Sequence, residues 1–145
     1  MCVPSDAVFE IPRGTGRARG AGILALALSS PALAKLRPTH LARALAWATA
    51  SPRGTEAEAA ISRAERALGI SGRVYSHTCL TRGIVRFVAL RRAGLPVDLV
   101  FGLGAPSGVA DGHCWLELDG HPYLEREDPR SVFPEMYRLP LERRA

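Results

Sequence analysis

Three residues of the types that acyl transfer needs occur in a workable order: Cys79, His113 and Glu125. Thiol chemistry requires the thiolate. A free cysteine titrates near ~8.5, and a helix N-terminus or a neighbouring imidazolium lowers that value. Ser76 or Thr78 can cap a helix opening at Cys79, and Leu80, Ile84, Val85, Phe87, Val88 and Leu90 carry it onward. Cys79 then stands in the first turn, where unpaired N–H groups and the positive end of the dipole favour an anion. The same groups can hold an oxyanion on an attacked carbonyl. Arg73, Tyr75 and His77 are unranked candidates for a second oxyanion donor.

His113 is the candidate general base. A strand over 113–118 sets Trp115 and Glu117 on its own face and Cys114, Leu116 and Leu118 on the core side. The third group must hold the other imidazole nitrogen, and the hairpin at Asp119-Gly120 decides which acid can do so. A two-residue turn pairs Leu118 with His121, which sets Glu125 opposite Cys114 on the wrong side of the sheet. A three-residue loop with Gly120 in a left-handed bulge pairs Glu117 with His121 and sets Glu125 opposite His113. A triad using Glu125 therefore favours the bulged hairpin; Glu127 and Asp128 are the fallback acids. A zinc site from His77, Cys79, His113 and Cys114 is disfavoured, because adjacent strand residues face opposite ways. We expect no metal and no cofactor.

The elements that must position these groups are legible in part. Residues 21–36 read as a helix split near Pro31, with Ser30 capping its second piece. A second helix follows Thr39. Thr55 with Glu58 forms a capping box for a third, which ends at Gly69. The helix over 79–93 is apolar on more than one stripe and so central; Arg82, Arg86, Arg91 and Arg92 mark its wetter side, and Gly94 ends it. Strands follow at 97–102, 113–118 and 121–125. The expected fold is α+β: a helical N-terminal half, then a central cysteine-bearing helix packed on a small antiparallel sheet. The expected organisation is a partly flexible segment 1–20, holding a short strand at Val8–Ile11 and a loop from Pro12, and one domain over 21–145. That domain divides into a helical part (21–70), a core bearing the chemistry (71–130) and an irregular tail (131–145).

The net charge of +5 comes almost wholly from arginine, since Lys35 is the sole lysine. With the abundant alanine this reads as coding bias, and no aromatic stacking series or basic block points to nucleic acid. The apolar run 23–28 is too short for a bilayer, which needs ~20 residues. Three unevenly spaced cysteines fit a reducing cytoplasm better than a disulfide framework.

Several motifs keep order and spacing with one known family. Cys79-Leu80-Thr81-Arg82 resembles the CLxRS signature of lasso peptide B proteins. Arg91-Arg92-Ala93-Gly94 resembles their RRxG turn, and His113-Cys114-Trp115-Leu116-Glu117 with Asp119-Gly120 and Pro122 resembles their HAWxExxGxP segment. Two positions depart: Cys114 stands where the family has Ala, and Gly83 where it has Ser. The resemblance runs from Cys79 to Glu125 and implies a transglutaminase-like, papain-related cysteine protease. It implies Cys79 as nucleophile, His113 as base, and Glu125, twelve residues on, as the acid. Such proteins cut the leader from a ribosomally made lasso precursor, after a leader whose next-to-last residue is Thr. With no room for a fused leader-binding domain before residue 70, the resemblance implies a separate small leader-recognition protein and a separate ATP-dependent cyclase. The alternative is a non-catalytic module that keeps the fold to bind peptide or partner while Cys79 only packs.

Overall fold

The computed structural model describes residues 17–50 and 56–140. The expected strand at Val8–Ile11, the loop from Pro12 and the Thr55 cap lie outside these residues. Four helices, α1 (Arg17–Leu33), α2 (Pro38–Thr49), α3 (Ala57–Ser71) and α4 (Cys79–Ala93), precede the strands β1 (Asp98–Gly104), β2 (Asp111–Leu118), β3 (His121–Tyr123) and β4 (Glu135–Leu139). The strands form one antiparallel sheet in the order β3-β2-β1-β4. The architecture is α+β, as the sequence suggests.

The central helix owes its ends to local chemistry. Thr78 is extended, and its Oγ1 accepts the Thr81 N–H at 3.3 Å. At the other end Gly94 takes φ 97°. Its N–H bonds Arg91 O, and the Leu95 N–H bonds Leu90 O, the paired bonds of a Schellman stop. Between these ends, Ile84, Val85, Val88 and Leu90 are fully buried. One side of α4 packs on the sheet through Leu99, Cys114 and Leu116; another packs on α1 and α3 through Val85 and Ala89. The second contact is built largely from Ala27, Ala60, Ala64 and Ala67. Small side chains let the helices approach closely, so these alanines have a packing role that composition alone assigned to coding bias. The arginines of α4 also do more than face water. Arg86 pairs with Glu65 of α3 at 2.7 Å, Arg92 bonds Ala48 O of α2, and Arg91 bonds Val97 O and Asp98.

The first helix is not split. α1 runs through Pro31, and Ser30 is no N-cap. Proline lacks the N–H that Ala27 O would have accepted. Ser30 Oγ, at 2.8 Å, and the Tyr75 hydroxyl donate to that carbonyl instead. α3 begins after Glu56, which makes no side-chain cap bond, and passes Gly69 to reach Ser71.

Two features of the sheet differ from expectation. The tail is not wholly irregular, because β4 pairs with β1 beyond a short 3-10 turn at Pro129–Ser131. The returning segment covers the face that carries His113. A Cβ on Gly102 would lie 2.6 Å from Phe133 O, and one on Gly104 would collide with Val132 O. The face expected to be half-polar is therefore closed at Trp115 (1% exposed) and Glu117 (4%). Glu117 is satisfied there by Trp115 Nε1 at 3.1 Å and Arg138 at 3.2 Å.

Gly83 and Cys114, the two positions at which the motif resemblance breaks, meet in space. A Cβ on Gly83 would lie 2.8 Å from Cys114 Sγ and 2.9 Å from Leu99 Cδ1. Cys114 thus occupies the room that a side chain at position 83 would need. Gly83→Ser alone should overpack this contact and cost about 1–3 kcal/mol. Adding Cys114→Ala should recover most of that loss, seen in urea unfolding as a coupling of ~0.5 kcal/mol or more. Additive effects would contradict the exchange.

Candidate functional site

Cys79 is the first residue of α4 and is half-buried. Its Sγ donates to the carbonyl of Gly112 at 3.9 Å, the residue just before His113. The strand pairing explains why that carbonyl is reachable. Leu103 turns its N–H to Pro134 O on the β4 side, so the Leu103–Gly112 pair is not a hydrogen-bonded one and Gly112 turns its polar groups away from β1. β3 pairs only with Leu116, Glu117 and Leu118. The edge of β2 at Gly112 is left to Cys79, while the Gly112 N–H bonds Asp111 Oδ1 at 2.9 Å.

His113 is half-buried on β2, on the face opposite Cys114. Its ring lies near two aromatic rings: Trp115 at 6.0 Å and nearly parallel, and Phe133 at 5.2 Å and tilted by 37°. Glu125 Oε2 is 3.5 Å from His113 Nε2.

The bulged hairpin expected to bring Glu125 to His113 is not what forms. Asp119 and Gly120 have φ 52° and 77°, and Leu118 pairs with His121: a two-residue turn of the I′ kind, which suits the twist of the flanking strands. Continued alternation would then carry Glu125 to the Cys114 side. It does not continue, because β3 ends at Tyr123 and Leu124 takes φ 65°. That left-handed residue breaks the period of two and returns Glu125 to the face of His113. A positive φ is unfavourable for leucine, and no sequence signal announces it. Phe133 was likewise missed, since it reaches the imidazole from a tail with no strand signature.

The fallback acids lie elsewhere. Asp128 caps the 3-10 turn and pairs with Arg130, which holds its carboxyl down to about 2. Glu127 is exposed. The oxyanion candidates also sort. Arg73 is exposed, and the Tyr75 hydroxyl is bonded to Ala27 O beside Ser30. His77 Nε2 lies 2.8 Å from Ser71 Oγ and 3.1 Å from Leu68 O. Ser71 gives its own hydrogen to Ala67 O, so Nε2 carries the proton. Nδ1 is then a buried acceptor with no partner among the described residues. His77 anchors the α3–α4 connection to the last turn of α3, two residues before Cys79.

Comparison with known proteins agrees with this architecture. A family model of the transglutaminase-like superfamily matches residues 24–138. The chain belongs to the transglutaminase-like superfamily. No curated protein and no solved structure matches it. Superfamily members include cysteine protease-like and acyltransferase enzymes, and the matched span contains Cys79, His113 and Glu125. Among the described residues no helix is long and apolar enough to cross a membrane.

The placement of His77 has a pH consequence. Burial is the largest cause and holds its pKa below 6.5 against the raising effect of the Leu68 carbonyl, with a smaller lowering effect from the Arg82 charge. The unfolded chain therefore takes up this proton first on acidification. The resulting stability is full above pH 6.5 and is lost as pH falls toward the depressed value. His77→Gln can keep the donor but cannot titrate, so its stability should fall less between pH 6.5 and 5 than that of the parent, by thermal unfolding. Parallel pH curves would contradict the assignment.

Proposed function

We propose that this protein is a cysteine peptidase that removes the leader from a lasso peptide precursor. It acts with a separate leader-binding protein and ahead of a separate ATP-dependent cyclase. One observation carries the chemistry: Glu125 Oε2 lies 3.5 Å from His113 Nε2, while Cys79 Sγ reaches the β2 edge at the residue preceding His113. In such a triad the acid and the nucleophile use opposite nitrogens of the imidazole, and Glu125 lies at Nε2. The leader specificity rests on the motif resemblance around Cys79, Arg91-Arg92 and His113, together with superfamily membership.

The steps follow from these roles. His113 takes the Cys79 proton, and the thiolate attacks the carbonyl of the last leader residue. N–H groups of the first turn of α4 hold the oxyanion, aided by the dipole. Collapse of the tetrahedral intermediate breaks the C–N bond, and the His113 imidazolium protonates the departing core amine. Water, deprotonated by His113, then hydrolyses the thioester and releases the leader acid. Glu125 fixes the tautomer and offsets the imidazolium charge. The Trp115 and Phe133 rings limit the ring's tilt and its exposure to water.

The test is to incubate the chain with precursor and leader-binding partner and to weigh the products. The parent should give intact leader and core. Cys79→Ala should lower kcat by roughly 10³-fold or more, and Glu125→Ala by about 10²- to 10⁴-fold, both with little change in melting. Undiminished cleavage by Cys79→Ala would remove the peptidase assignment.

A further inference from the structure

Gly112 lies at the β2 edge that Cys79 meets, and its side-chain direction is that of Cys114, toward the α4 face of the sheet. On that face a side chain at position 112 would stand beside Leu103, its cross-strand neighbour. Position 112 is glycine, and a Cβ built there would meet only Gly102 O, at 3.8 Å. The backbone does not force the choice, since Gly112 is not among the positive-φ glycines. Nothing in the fold requires glycine here, and the room it leaves lies next to the carbonyl that Cys79 Sγ touches.

The wall of that space is apolar. Leu103 is 47% exposed although it stands on the same face as the fully buried Leu99. Between them Phe101 stacks on Tyr137, with centroids 4.2 Å apart and rings 15° from parallel. Both rings are half-buried. α4 crosses this face mainly over β2, where Gly83 meets Cys114, and leaves the Leu103 end of β1 uncovered.

We infer that Gly112 and Leu103 form a specificity slot, which receives an apolar side chain of the extended substrate immediately beside the scissile peptide. Gly112 is the floor, Leu103 the wall, and the Phe101–Tyr137 pair the rigid backing. Among the described strands β3 pairs with β2 only at Leu116, Glu117 and Leu118, and the line of β2 beyond them is where an extended peptide would lie. An apolar residue gains by covering Leu103, whereas a carboxylate there would be desolvated without a partner. This inference rests on the peptidase reading and names the substrate class for the same site.

The experiment uses quenched-fluorescent leader–core peptides with the partner protein present. The residue on each side of the cut is set in turn to Leu or Asp. For the parent, Leu should be favoured over Asp at one of the two positions by at least tenfold in kcat/KM. Gly112→Val should abolish that preference, mainly through KM, while keeping the parent's melting temperature and rate of Cys79 alkylation by iodoacetamide. Leu103→Glu should instead favour an Arg residue at the same position, a gain that misfolding cannot produce. Equal cleavage of Leu and Asp peptides by the parent, or an unchanged preference in both variants, would overturn the slot and leave the peptidase reading standing. No cleavage of any peptide by the parent would remove that reading, and the slot with it.

Discussion

The arrangement depends on one constraint: α4 is packed on both sides, so its N-terminus cannot drift. The sheet holds it through Leu99, Cys114 and Leu116, and the α1–α3 layer holds it through alanine-sized contacts at Val85 and Ala89. A sulfur at the first position of such a helix has a fixed address. The dipole favours its anionic form there, and an effect of this kind fades beyond the first turn. Thr78 and the His77 anchor on α3 fix where that turn begins. The edge of β2 at Gly112 then determines what the sulfur meets.

The sheet solves a second problem, which is to bring an imidazole and a carboxylate to that edge from strands facing the other way. β2 sets Cys114 toward α4 and His113 away from it, so the helix and the imidazole approach the strand from opposite faces. Glu125 follows β3, which flanks the same edge, and a left-handed Leu124 aims it at His113. The tail completes the enclosure. Phe133 stands against the imidazole, and Arg138 satisfies the buried Glu117 that in turn holds Trp115. Removing either partner of a buried charge pair leaves the other exposed to a desolvation penalty. The wall beside His113 is therefore sensitive to changes far along the chain.

The legible parts of the fold were those fixed by local rules. The start and stop of α4 could be read from Thr78, the apolar stripes and Gly94, and the two-faced alternation of β2 from 113–118. The parts that could not be read were set by distant partners. Pro31 suggested a break, because nothing in its neighbourhood shows that Tyr75 will reach the Ala27 carbonyl. Unbroken alternation would need a bulged hairpin to bring Glu125 to His113, whereas the chain satisfies the two-residue turn first and corrects the facing at Leu124. Gly83 and Cys114 appeared as two separate departures, and only their contact shows that each accommodates the other. Gly112 carried no signal at all, because a glycine before a strand histidine is ordinary until its empty side is seen beside a thiol.

The central claim is that Cys79 ionises under the joint influence of the helix mouth and His113. The most direct measurement is the rate of Cys79 alkylation by iodoacetamide against pH, followed by mass spectrometry in the parent and in His113→Ala. The account predicts substantial labelling well below pH 8 in the parent, with the midpoint moving upward when the imidazole is removed. A midpoint near that of an ordinary thiol, about 8.5, and the same in both proteins, would contradict it.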